Sequence, residues 1–162
     1  MKKTIAFILA AYAMLASAVK IVAAPTLSNG IKPAIAMVLC IIIIIWHMVD
    51  ALSYQKKEVP VIELYHKDFL SKLYLIPFYI LFFAWGFGFV VAPLGFLFLP
   101  FLFLLGYMVL LSSSAYGLSA LIREKRTDSI SPKLQKLYLI MHFLFFFDFF
   151  GSYLLWKRIN ET

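Results

Sequence analysis

Positions 73–122 form an unbroken run of 50 residues without Asp, Glu, Lys or Arg, and nothing else in the chain limits its fold as strongly. Built as helix at about 1.5 Å per residue, the run would extend roughly 75 Å, against a bilayer hydrocarbon core of about 30 Å. One crossing cannot use that length. Two can, if the chain reverses at Ala92, Pro93, Leu94 and Gly95, where Pro lacks an amide donor and Gly accepts the dihedrals of a tight turn. The run therefore predicts a transmembrane helical hairpin with spans at 73–91 and 95–122.

Composition supports a membrane protein: 14% of the 162 residues are charged and 64% are hydrophobic, whereas soluble globular domains carry about 25% charged residues. The expected fold is a single all-α integral membrane domain over 1–162, a compact bundle of five transmembrane helices. The remaining spans are read at 4–24, 33–54 and 134–156. The first resembles a secretory signal peptide, with Lys2 and Lys3 ahead of an apolar stretch and Ala16, Ser17 and Ala18 as a small-residue cleavage pattern. If it is cleaved, four helices remain. Its apolar stretch continues to Ala24, long enough to span, which favours retention. The polar segment before the hairpin carries Val61, Ile62, Tyr65 and Phe69 at helical spacing, which reads either as an interfacial helix at 61–71 or as an irregular loop with some apolar residues. Ser131 and Pro132 form an N-cap and first helical residue for the last span.

The net charge of +7 is confined to short clusters between apolar spans, which marks topology and not nucleic-acid binding. With the N-terminus in the cytoplasm and the C-terminus outside, Lys20, Lys32, Lys157 and Arg158 lie outside. The other eleven of the 15 basic residues then lie inside. A bacterial inner membrane is the expected location. Arg123, Lys125 and Arg126, at a membrane exit, are placed to contact anionic lipid at about 1 kcal/mol per charge.

Chemistry inside the spans is confined to few residues. Ionised side chains at a helix centre cost about 2.5 to 3.5 kcal/mol on insertion scales, so each one needs a reason. Asp148 lies among phenylalanines in the last span and should face the interior. Lys20 is its expected partner in a structural ion pair. His47 and Asp50 share a face three residues apart, with His142 at similar depth; these three with Asp148 form a candidate ligand or proton site, and a structural hydrogen-bonded cluster or a metal site are the competing readings. His66, Lys67 and Asp68 read as solvated charge. Small residues mark two packing faces, Ala6, Ala10, Ala13 and Ser17 on the first helix and Gly106, Ser113 and Gly117 on the fourth.

Cys40 is the only cysteine, which excludes an intrachain disulfide and a multi-thiolate metal site. No nucleophile elbow, phosphate loop, zinc-protease helix or dinucleotide fingerprint is present, so no catalytic residue, metal or cofactor is expected. The leading functional expectation is a small polytopic membrane protein without catalytic activity. It would bind a hydrophobic small molecule or lipid, or join a homo- or hetero-oligomeric membrane complex, with no nucleic-acid partner. The alternatives are a proton- or ion-coupled transporter using Asp148, His47, Asp50 and His142, and a membrane-embedded lipid-modifying enzyme.

Overall fold

The structure, a computed structural model, describes residues 2–23, 27–57, 59–91, 95–127 and 130–160. The described residues contain no strand. Their α-helices are α1 (Lys2–Val22), α2 (Leu27–Ser53), α3 (Val61–Val91), α4 (Leu99–Arg126), α5 (Pro132–His142) and α6 (Phe145–Asn160), with short 3-10 turns at Tyr54–Lys56 and Gly95–Phe98. Among the described residues four helices are long and apolar enough to cross a membrane, Lys2–Val22, Gly30–Lys56, Val61–Val91 and Phe96–Arg126. The protein is therefore built as a helical membrane protein, because only closed backbone hydrogen bonding survives in hydrocarbon. Ala92, Pro93 and Leu94, where the sequence predicts the reversal, lie outside the described residues.

Two elements differ from the sequence reading. The expected interfacial helix at 61–71 and span at 73–91 are one continuous helix, α3, of 31 residues. Leu64, Tyr65, Asp68, Ser71, Lys72, Leu75, Phe78 and Phe82 are all buried on it. Their spacings of one, three and four residues keep a single helical face through the polar segment. Polar composition is thus overridden by unbroken periodicity.

The expected span at 134–156 is instead α5 and α6, of 11 and 16 residues. At Phe143 and Leu144 the amides bond back three residues, to the carbonyls of Ile140 and Met141, each at 3.1 Å. Such tightening closes a helix rather than extending it. Neither Pro nor Gly occupies the break, and it is held from outside: the Ser114 hydroxyl of α4 donates to Asp148 Oδ1 at 2.8 Å and lies 3.5 Å from the freed carbonyl of His142. Gly151 then admits α5 against α6, since a Cβ there would lie 3.1 Å from Met141 Cβ. At the start of α5, Ser131 accepts from the amide of Leu134 with Pro132 beside it, the cap that its Ser-Pro pair predicts.

The chain forms two units. The first comprises Met1–His47 and Leu75–Val109. Its core draws on Phe7, Met14 and Ala18 of α1, Cys40 and Ile44 of α2, Leu75, Phe78 and Phe82 of α3, and Leu102 and Leu105 of α4. Of the small face expected on α1, Ala10 and Ser17 are buried while Ala6 and Ala13 are exposed. The buried face is turned so that Phe7 and Met14 point inward, because larger side chains gain more dispersion contact where lipid offers no hydrophobic gradient. On α4, Gly106 is buried beneath the Phe82 ring, which occupies the place where a Cβ would stand.

The second unit comprises Met48–Tyr74 and Leu110–Thr162. Leu64, Tyr65, Ala115, Leu121, Tyr138 and Leu155 belong to its core. Phe69 of α3 stacks on Trp156 of α6 with ring centroids 5.4 Å apart. Ser119 of α4 donates to the carbonyl of Ala51 at 2.8 Å, and Tyr65 donates to Glu124 Oε2 at 2.7 Å. Among the described residues, this unit holds most of the buried polar groups.

Candidate functional site: a buried charged cluster

Asp68 and Lys72 stand four residues apart on the buried face of α3, and so project side by side. Opposite them, the break between α5 and α6 turns His142 and Asp148 toward one another. Six residues apart in a continuous helix, those two would be separated by about 240° of rotation and could not meet. Their ring nitrogen and carboxylate lie 2.8 Å apart. Ser114 from α4 and Ser152 from α6 complete the group. Burial is nearly total, at 0% exposure for Asp68 and Ser152, 1% for Asp148 and 2% for Lys72 and His142.

The ammonium of Lys72 is the hub. Its Nζ lies 3.1 Å from Asp68 Oδ2, 2.5 Å from Asp148 Oδ1, 2.5 Å from Ser152 Oγ and 3.0 Å from His142 Nδ1. Asp148 Oδ1 also accepts from Ser114 Oγ at 2.8 Å, and Ser152 Oγ donates to Asp68 Oδ2. Asp68 Oδ1 accepts the backbone N–H of Gly117 at 3.1 Å. That last contact needs a glycine: a Cβ at Gly117 would lie 2.8 Å from Asp68 Cγ and 2.8 Å from His142 Nε2. With Lys72 charged and both carboxylates ionised, the cluster carries one net negative charge, which a single proton cancels. Uncompensated charge in a dry interior is costly enough that such a proton matters to the fold as well as to chemistry.

Residues 3–161 match the model of a family described as a family of unknown function, DUF6652. The chain belongs to that family. No curated protein and no solved structure matches the chain.

The arrangement argues against a serine nucleophile. In a Ser-His-Asp relay the imidazole bridges the other two groups, whereas here Asp148 Oδ1 lies between them, accepting from Ser114 and standing 2.8 Å from His142 Nδ1. Ser152 meets Lys72, but its hydroxyl accepts from the ammonium and donates to Asp68 Oδ2, the reverse of the direction that a Ser-Lys pair needs. What the geometry offers is a set of oxygen acceptors around a monovalent cation, with an imidazole beside it.

Of the residues that the sequence singles out, His142 and Asp148 meet. Asp148 pairs with Lys72 instead of Lys20, which is exposed on α1. His47 belongs to the first unit, where its ring stacks on Phe7 at a centroid distance of 4.2 Å. Asp50 lies 3.9 Å from Lys57. Asp68, read from the sequence as solvated, and Lys72, read as a cytoplasmic charge, are the two that sequence reasoning missed; the unbroken stripe of α3 was the signal that places them inward. Ser113 and Gly117 are buried on α4. The Arg123 guanidinium donates to the carbonyl of Val59, while Lys125 and Arg126 remain exposed in the last turn of α4, where basic charge complements the helix dipole.

The first unit has a different feature, an apolar pocket of about 380 Å³ lined by residues that include Ala18, Met37, Trp85, Phe89 and Phe98.

Proposed function

We propose that this protein is a small multi-pass transporter, or transporter subunit, that exchanges a proton for a monovalent cation at the Asp68, Lys72, His142 and Asp148 cluster. The observation that carries the reading is the ammonium of Lys72, 2% exposed, gripped by two carboxylates and the Ser152 hydroxyl. An ammonium so held occupies the kind of oxygen-lined position that a free monovalent cation takes, and ionisable groups inside membrane bundles mark ion and proton paths. The His142 imidazole supplies a nitrogen beside the carboxylates that can hold or give up a proton.

Charge distribution supports a bacterial inner-membrane topology with the N-terminus in the cytoplasm. Lys72 is buried in the cluster and belongs to neither side. Counting α5 and α6 as a fifth crossing leaves ten of the other 14 basic residues inside and four outside, whereas counting them as a re-entrant pair returns Lys157 and Arg158 to the cytoplasmic side, with 12 inside and two outside. The second count is the more asymmetric, and the packing of Gly151 on Met141 favours it. A fluorescent protein fused after α6 is therefore expected to fold and glow in the cytoplasm, while alkaline phosphatase fused at the same point stays inactive. Active phosphatase there restores five crossings with the C-terminus outside.

The functional test uses proteoliposomes loaded with a pH-sensitive dye. External NaCl or KCl is expected to raise the internal pH faster with the wild-type protein than in protein-free vesicles, and Asp148→Asn to return the rate to the protein-free level. Wild-type vesicles that respond to neither salt would sink the reading. In that event the apolar pocket of the first unit favours the alternative, a protein that binds a hydrophobic small molecule or lipid.

A further inference from the structure

The cluster contains one nitrogen with two incompatible neighbours. His142 Nδ1 lies 3.0 Å from Lys72 Nζ and 2.8 Å from Asp148 Oδ1. An ammonium only donates and a carboxylate only accepts, while a ring nitrogen either carries a hydrogen or presents a lone pair. Both contacts therefore cannot be hydrogen bonds at once. Without a hydrogen Nδ1 accepts from Lys72; with one it donates to Asp148.

We propose that His142 Nδ1 is the atom that takes up and releases the exchanged proton, with Lys72 and Asp148 as its alternate partners. The assignment rests on the proton-coupled reading above and names the proton's seat within it. In the step, a hydronium ion gives up one proton: its O–H bond breaks and water leaves, an N–H bond forms at Nδ1 of neutral His142, and the hydrogen bond from Lys72 is replaced by one to Asp148. With both carboxylates ionised, the charge of the cluster goes from −1 to zero, and no other covalent bond changes.

Two features favour that exchange. Lys72 has three N–H hydrogens but four neighbours, Asp68, Asp148, Ser152 and His142. When Nδ1 ceases to accept, the other three still satisfy the ammonium. His142 is the basic residue in the last turn of α5 and Asp148 the acidic residue in the first turn of α6, so both helix dipoles favour the charged pair. His142 Nε2 is buried without a hydrogen-bond partner beside Gly117; it keeps its hydrogen in both states, at a cost common to both, and the two states differ at Nδ1.

The charged groups around the ring are Asp68 and Lys72 from α3 and Asp148 from α6, while α4 brings only Ser114 and Gly117. On α5 itself Lys133 and Lys136 are exposed. The neighbouring charges on the packed helices are Lys67, paired with Glu63 at 2.6 Å, Glu124, bonded to Tyr65, Arg123, bonded to Val59, and Arg158.

The test is nitrogen NMR of histidine-labelled protein in lipid nanodiscs, with His142 assigned through its Met141 and Phe143 backbone neighbours. Between about pH 5 and 9, the range in which imidazoles titrate, Nδ1 is expected to change from N–H to lone pair while Nε2 keeps its hydrogen. Asp148→Asn, nearly isosteric, is expected to weaken proton binding at His142 at least about tenfold through loss of the carboxylate. Lys72→Met should strengthen it. A His142 that stays in one protonation state across the range, or whose titration ignores Asp148→Asn, overturns the assignment; salt-driven proton movement that persists in that case keeps the transport reading and puts the proton on a carboxylate. A His142 that titrates as described in vesicles that move no protons supports the proton site and removes the transport reading.

Discussion

Replacing Lys72 with Met is expected to lower the stability of the protein by about 3–5 kcal/mol, the loss typical when one partner of a buried ion pair is removed. Asp68 and Asp148 are both essentially unexposed, and without the ammonium two carboxylates face each other with only Ser114, Ser152, His142 and the Gly117 amide to answer them. The penalty comes from that stranded charge and not from the missing contacts, so neutralising the carboxylates should relieve it. Adding Asp68→Asn and Asp148→Asn to Lys72→Met is expected to recover most of the loss, because neutral groups of similar shape replace a buried ion cluster at little cost. Unfolding by graded addition of sodium dodecyl sulfate, followed by circular dichroism, measures both variants. A Lys72→Met protein as stable as wild type would mean that the cluster is not charged in the folded state.

Gly117→Ala carries the second large effect. The added methyl would stand 2.8 Å from Asp68 Cγ and from His142 Nε2, and both of those groups are fixed by other bonds. Asp68 holds Lys72 and the Gly117 amide, and His142 lies against Asp148. Relief requires pushing α3 or the α5 end away from α4, at about 1–3 kcal/mol for an overpacked core. The same denaturation series reads the loss, and the nitrogen spectrum of His142 should change with it. Gly88→Ala on α3 is the control. Nothing lies within 4 Å of a Cβ there, so it is expected to be neutral or stabilising, by up to about 1 kcal/mol from helix propensity.

The contrast between these glycines shows where sequence reading reached its limit. Both lie in apolar helices, and only the partner across the interface distinguishes them. Asp148 was legible as an inward-facing residue because an acid among phenylalanines has no other stable place in a membrane. Its partner was not legible, because depth along a helix constrains Lys20 and Lys72 only weakly. Asp68 and Lys72 were hidden by local composition: surrounded by Glu63, His66 and Lys67, they resemble a solvated segment. Only the helical phase shared with Tyr65 and Leu75 assigns them to the interior.

By itself, the sequence determined that the chain is helical and apolar enough for a membrane, because a run of 50 residues without charge leaves the backbone no other way to satisfy its hydrogen bonds in hydrocarbon. It also determined the cap at Ser131 and the inward face of Asp148. The tertiary structure decided the break at Phe143 and Leu144 and, through it, the site. No residue at the break forbids a continuous helix. What draws His142 and Asp148 together across the break is the ammonium of Lys72 on α3 and the Ser114 hydroxyl of α4, and those arrive only when the helices pack.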